Sequence, residues 1–175
     1  MPRPSPSSIE LLFDPATEAA VRAEWDALAA HGLSSLAAHT SASNRPHLTL
    51  VVRSDLPPFD ASSLADIAAF PITLGAPLLF GTGDRRVLVR SIAPTTELLD
   101  VHAAVHALVG PGEDAPHTAP GCWTPHVTLA RRLRVADLPA ALDLLGGDIR
   151  GEAVSVRRWD PLTATTTTLA ELRRA

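Results

Sequence analysis

The tetrapeptide His47-Leu48-Thr49-Leu50 returns 79 residues later as His126-Val127-Thr128-Leu129, and proline precedes each copy, at Pro46 and Pro125. Side chains alternate between the faces of a strand, so each His shares one side with its Thr while the apolar residues share the other. The chain must therefore place two strands of equivalent design, each with a wet face bearing His and Thr and a dry face in a core. Chance explains this poorly, since two such hits among the seven histidines are expected in roughly one chain in 150.

A length of 175 residues is most simply one domain, covering residues 1–175, with the Pro/Ser-rich residues 1–8 as a flexible tail. Hydrophobic content of 46% with 19% charge is that of a folded globular protein. The N-terminus lacks the apolar run of a signal peptide, and no stretch approaches the ~20 apolar residues that span a bilayer. The single Cys122 excludes an internal disulfide and fits a reducing compartment. A soluble, cytoplasmic monomer without a membrane partner is expected.

A net charge of −4 and a pI near 5.9 argue against coating duplex DNA, because such binding needs many phosphate-neutralising cations. A small nucleotide or an RNA terminus remains compatible with that charge. The chain has no lysine, and the clusters Arg85-Arg86, Arg131-Arg132 with Arg134, Arg157-Arg158 and Arg173-Arg174 read as solvated surface groups. Arg131 is the exception, because it follows the second motif on the same strand.

Along the chain, Ile9 to Phe13 reads as a strand ended by Asp14-Pro15, a helix cap followed by proline. Val21, Trp25 and Leu28 predict a helix that Gly32 stops. The first motif strand runs to Arg53, and Pro57-Pro58 precedes a short helix with Leu64 and Ile67. Pro71–Phe80 and Val87–Ile92 read as strands joined by Gly81-Thr82-Gly83-Asp84, which leads into a strand and lacks the lysine of a phosphate loop. Leu98, Val101, Val105 and Leu108 then mark a helix, and Pro111 to Gly121 a flexible loop before the second motif. Leu138, Leu142 and Leu145 mark a last helix, followed by strands at Ala153–Trp159 and Thr165–Leu172, the latter an edge strand of high β propensity. The elements form an approximate internal repeat, so two similar lobes would each bring one motif strand to a shared cleft.

The pattern His-apolar-Thr-apolar, present twice and closed at its second copy by Arg131, resembles the two-histidine (2H) phosphoesterase superfamily. The segments Arg45–Leu50 and Thr124–Arg131 are most similar to its bacterial 2′-5′ RNA ligase and cyclic phosphodiesterase branch. The resemblance implies an α+β, bilobal, pseudo-twofold fold with two antiparallel sheets lining a central cleft and helices outside. It also implies a hydrolase that opens a 2′,3′-cyclic phosphodiester of an RNA end or nucleotide to a 2′-phosphate, with 2′-5′ ligation as a secondary activity. His47 would be the acid at the leaving oxygen and His126 the base on water. Two alternatives are a non-catalytic module that binds nucleotides or RNA ends, and a phosphodiesterase acting on a small metabolite such as ADP-ribose cyclic phosphate.

Histidine suits both roles because its pKa of about 6.5 leaves both protonation states accessible near neutrality. The motifs are nearly symmetric, so the residues alone do not order them. Thr49 and Thr128 can donate hydrogen bonds to phosphate oxygens where charge accumulates. Arg131 lies five residues after His126, on the opposite face under strict alternation, and reaches substrate only past a bulge or the strand's end. Arg45 shares the face of His47 and could attract the phosphate. Trp123, Phe13 and Phe80 are candidates for stacking on a base. His102 and His106 have the spacing of a metal pair but lack the intervening Glu and a marked third ligand, so no metal and no cofactor is expected. His31, His39 and His117 read as surface or loop residues, and Cys122 has no identifiable base beside it.

Overall fold

Both motifs begin strands, as their alternation requires. The computed structural model describes residues 6–174. Its elements are β1 (Ser7–Phe13), α1 (Pro15–Ala30), β2 (His47–Arg53), β3 (Phe70–Phe80), β4 (Arg85–Ile92), α2 (Thr96–Val109), β5 (His126–Arg134), α3 (Leu138–Asp143), β6 (Ile149–Asp160) and β7 (Thr165–Glu171). Asp14 caps α1 through Oδ1, which accepts the N–H groups of Ala16 and Thr17 at 2.9 and 3.0 Å. Val21, Trp25 and Leu28 form its buried stripe. Gly81 and Gly83 turn β3 into β4 at φ of 90° and 77°, which glycine adopts without a Cβ clash.

Three expectations shift. The tail expected over residues 1–8 is shorter, because Ser7 and Ser8 already pair in β1, and residues 1–5 lie outside the described residues. The segment holding Leu64 is a 3-10 turn, Ser62–Asp66, that ends just before Ile67. The last helix stops at Asp143, short of Leu145.

All strand pairings are antiparallel, in the order β1-β2-β5-β4-β3-β6-β7, and β1 also pairs with β6. Six strands thus close a ring, with β7 on its outside edge. The long β6 is shared: Ile149–Ala153 pairs with β3, and Ala153–Trp159 pairs with β1. The result is two antiparallel leaves, β2-β1-β6-β7 and β5-β4-β3-β6, which gives the bilobal α+β form. The leaves meet again where Leu48 of β2 pairs with Val127 of β5. Helix α1 packs against β6 and β5 and α2 against β2, so each covers a motif strand. Leu48, Leu50, Val127 and Leu129 lie in the single apolar core beneath. No helix among the described residues is long and apolar enough to cross a membrane.

Candidate functional site

The pairing of Leu48 with Val127 fixes the site. Both side chains are buried in the core, so their neighbours in sequence turn to the other face. One antiparallel step from that pair puts His47 beside Thr128, and Thr49 beside His126. Each histidine therefore stands next to the threonine of the other motif.

The prolines ahead of the motifs have a local purpose. Nδ1 of His47 lies 2.7 Å from the Arg45 carbonyl oxygen, and Nδ1 of His126 lies 2.7 Å from that of Thr124. A residue before proline is driven to extended backbone, which aims its carbonyl at the ring two residues on. A carbonyl can only accept, so Nδ1 carries the hydrogen in both rings. In the neutral form Nε2 then holds the lone pair.

Each motif ends in a bulge. On β2, Glu10 pairs with Thr49 and Ile9 with Val51, leaving Leu50 extra. On β5, Val89 pairs with Thr128 and Leu88 with Ala130, leaving Leu129 extra. Alternation restarts past each bulge: Leu129 and Ala130 are both buried, and Arg131 turns to the face of His126. The bulge is the interruption that strict alternation required for Arg131 to reach the cleft. The carbonyl before each bulge receives an indole N–H, from Trp123 to Thr49 at 3.1 Å and from Trp25 to Thr128 at 3.0 Å.

His47, Thr49 and Arg131 line a cleft of about 590 Å³ together with Glu10, Arg157 and Trp159. Phe80 packs on His126 with ring centroids 4.7 Å apart, and His117 stands 6.0 Å from the same ring. Burial holds the pKa of His126 below the ordinary histidine value, helped by His117 and His47 and opposed by the Thr124 carbonyl. Glu10 faces Nε2 of His47 at 3.6 Å and accepts the Arg157 Nε–H at 2.7 Å. Burial alone would raise Glu10, but His47, Arg157 and the Ser8 hydroxyl outweigh it, and its carboxyl lies below the usual glutamate range.

Several sequence candidates stand elsewhere. Arg45 is turned away to Glu18, which accepts its Nη2 at 2.6 Å, so its guanidinium is engaged by α1. Phe13 is buried in the core, because the inner face of β1 is apolar throughout, and cannot stack on a ligand. Trp123 stacks on His102 at 3.9 Å and spends its N–H on Thr49, so it is a buttress for β2 rather than a base platform. His106 joins that buttress, with Nε2 3.3 Å from the Leu50 carbonyl and 3.1 Å from that of Thr118. Among the described residues no group of three or more His, Cys, Asp or Glu could hold a metal ion. Cys122 is exposed.

Arg157 corrects the reading of its cluster as solvated, because it is buried and paired. Its partner Glu10 belongs to no motif, and its one signal in the sequence is a lone acid inside the apolar run Ile9-Glu10-Leu11-Leu12-Phe13. His39 lines the cleft and His117 faces His126, both from loops that carry no motif. Trp159 lines it too, from a strand recognised in the sequence without a role.

A family model described as the 2′-5′ RNA ligase superfamily matches residues 17–175. The chain belongs to the 2′-5′ RNA ligase superfamily. No curated protein matches it by sequence. Among solved structures, E. coli LigT in apo form is similar at a TM-score of 0.62 and 14% identity, covering 99% of each chain. Kluyveromyces marxianus Usb1 is similar at a TM-score of 0.53 and 13% identity, covering 95% of this chain and 98% of that one. At such identities the likeness is one of fold, and it extends over nearly the whole of this superfamily member.

Proposed function

We propose that the chain hydrolyses a 2′,3′-cyclic phosphodiester at an RNA end or on a nucleotide, giving a 2′-phosphate without a metal. The observation that carries this reading is the pair of histidines on one face, each with Nδ1 tied to a carbonyl and Nε2 left for proton transfer. His126, held below the ordinary value by burial, is neutral near pH 7 and takes a proton from water. The water oxygen attacks phosphorus, the bond to O3′ breaks, and O3′ takes the proton on Nε2 of His47. Thr49 and Thr128 donate to the non-bridging oxygens, and the Arg131 guanidinium meets their charge. With a 5′-hydroxyl in place of water, the same displacement on the cyclic phosphate, again breaking the bond to O3′, would leave a 2′-5′ linkage as a secondary ligase activity.

Purified protein incubated in EDTA with 2′,3′-cyclic nucleotides, cyclic-phosphate-ended oligonucleotides and ADP-ribose cyclic phosphate tests the reading. The expected result is turnover of a nucleotide or RNA end with phosphate left on the 2′ oxygen. Turnover of ADP-ribose cyclic phosphate alone would move the substrate to a small metabolite. Binding without turnover would make the chain a module that recognises nucleotide or RNA ends.

A further inference from the structure

Glu10 belongs to neither motif. Its carboxylate is buried on β1 opposite Thr49, with Oε1 3.6 Å from Nε2 of His47. That separation lies beyond a hydrogen bond, so a proton on Nε2 stays free for an acceptor in the cleft while the carboxylate acts on the ring's charge. Ser8 donates to Oε1 at 2.7 Å, and Arg157 donates to Oε2 at 2.7 Å. Arg157 is itself buried and anchored on the Ser43 carbonyl at 3.0 Å. Arg157 thus gives the carboxylate a second, permanent cationic partner besides His47.

The other titratable groups facing His47 are Arg131 and His126 from β5, Arg157 from β6 and His39 from the loop ahead of β2. All are cations or can become so. Among the described residues Glu10 is the one acid lining this cleft. In the second lobe its place opposite threonine is taken by Val89.

We propose that Glu10 is a positioning residue for proton transfer, one that favours the imidazolium of His47 and so makes His47 the acid and His126 the base. This rests on the two-histidine hydrolysis proposed above. It gives the cleft a polarity, with water on the His126 side and the departing oxygen on the His47 side.

Hydrolysis of a 2′,3′-cyclic nucleotide by wild type, E10Q and E10D, followed from roughly pH 5 to 9, tests it. In E10Q the alkaline limb should move down by about one pH unit, lowering the rate above the optimum about tenfold with KM little changed. E10D, which keeps the charge, should restore the limb. An unmoved alkaline limb in a folded E10Q overturns the proposal, and a shift of the acid limb instead would make His47 the base. Because E10Q leaves the buried Arg157 without its counter-charge, an NMR titration of the wild-type imidazoles provides a readout free of any variant. His47 should keep its second proton to higher pH than His126, and the reverse order overturns the assignment. Wild type that hydrolyses none of the cyclic phosphates would remove the proposed function, while a His47 titration unmoved between wild type and a folded E10Q would overturn the role of Glu10.

Discussion

The two motif strands share a frame and differ in what surrounds it. On both, proline sets a carbonyl behind the histidine, the final leucine bulges, and an indole closes the carbonyl before the bulge. Opposite the threonine, however, the first lobe places Glu10 and the second places Val89. Five residues past the histidine, the first lobe offers Val52 and the second Arg131, both on the cleft. Repetition supplies a shared geometry for the two histidines, and single side chains make its halves unequal. An acid lies beside one histidine, while aromatic packing and burial surround the other.

Removing either ring should have the largest effect. His47→Ala and His126→Ala should each lower kcat by about 10²–10⁴ with unchanged thermal unfolding, and the double variant should be little worse than either. A single variant within tenfold of wild type would break the equivalence of the two strands. Thr49→Val and Thr128→Val keep the shape and delete the hydroxyl, with an expected loss of about 1.5–3 kcal/mol in transition-state stabilisation from steady-state kinetics. Equal losses would show that the hydroxyls follow the shared frame; unequal ones would show that they follow the lobe.

The next contrast is between Arg131 and Val52. Arg131→Met should lower kcat/KM about tenfold, while Val52→Ala should stay within about twofold. Comparable losses would mean that the guanidinium contributes only bulk. The smallest effect expected is on folding: Trp25→Phe and Trp123→Phe each leave one carbonyl without its indole, at a cost of about 1 kcal/mol in denaturant unfolding. A much greater loss for Trp25 would mark the second strand as the more dependent on its helix.

The motif strands, the capped start of α1, the β3–β4 hairpin and the histidine pair were legible because each follows from local spacing or turn chemistry. Arg131 was legible only as a condition, since a bulge is defined by the count of residues on the partner strand, which the chain's own alternation does not contain. Glu10 and Arg157 lie 147 residues apart, and their pairing depends on β1 lying between β2 and β6. Trp123 and Arg45 were misplaced for the same reason. Their positions beside the motifs are local, but the groups they meet, His102 and Glu18, come from helices packed on those strands.

The ring of strands is continuous through extended ladders except at one seam. Where β2 meets β5, the ladder is a single residue pair, and the two histidines flank it. The spacing of the two imidazoles is therefore held less by backbone hydrogen bonds than by the close-packed apolar contacts of Leu48, Leu50, Val127 and Leu129 below. A displacement of about 1 Å can cost a hundredfold in rate, so those four side chains act as a gauge block for the chemistry above them. Shaving a methyl group from the gauge would be felt in turnover even though no atom in the cleft had changed.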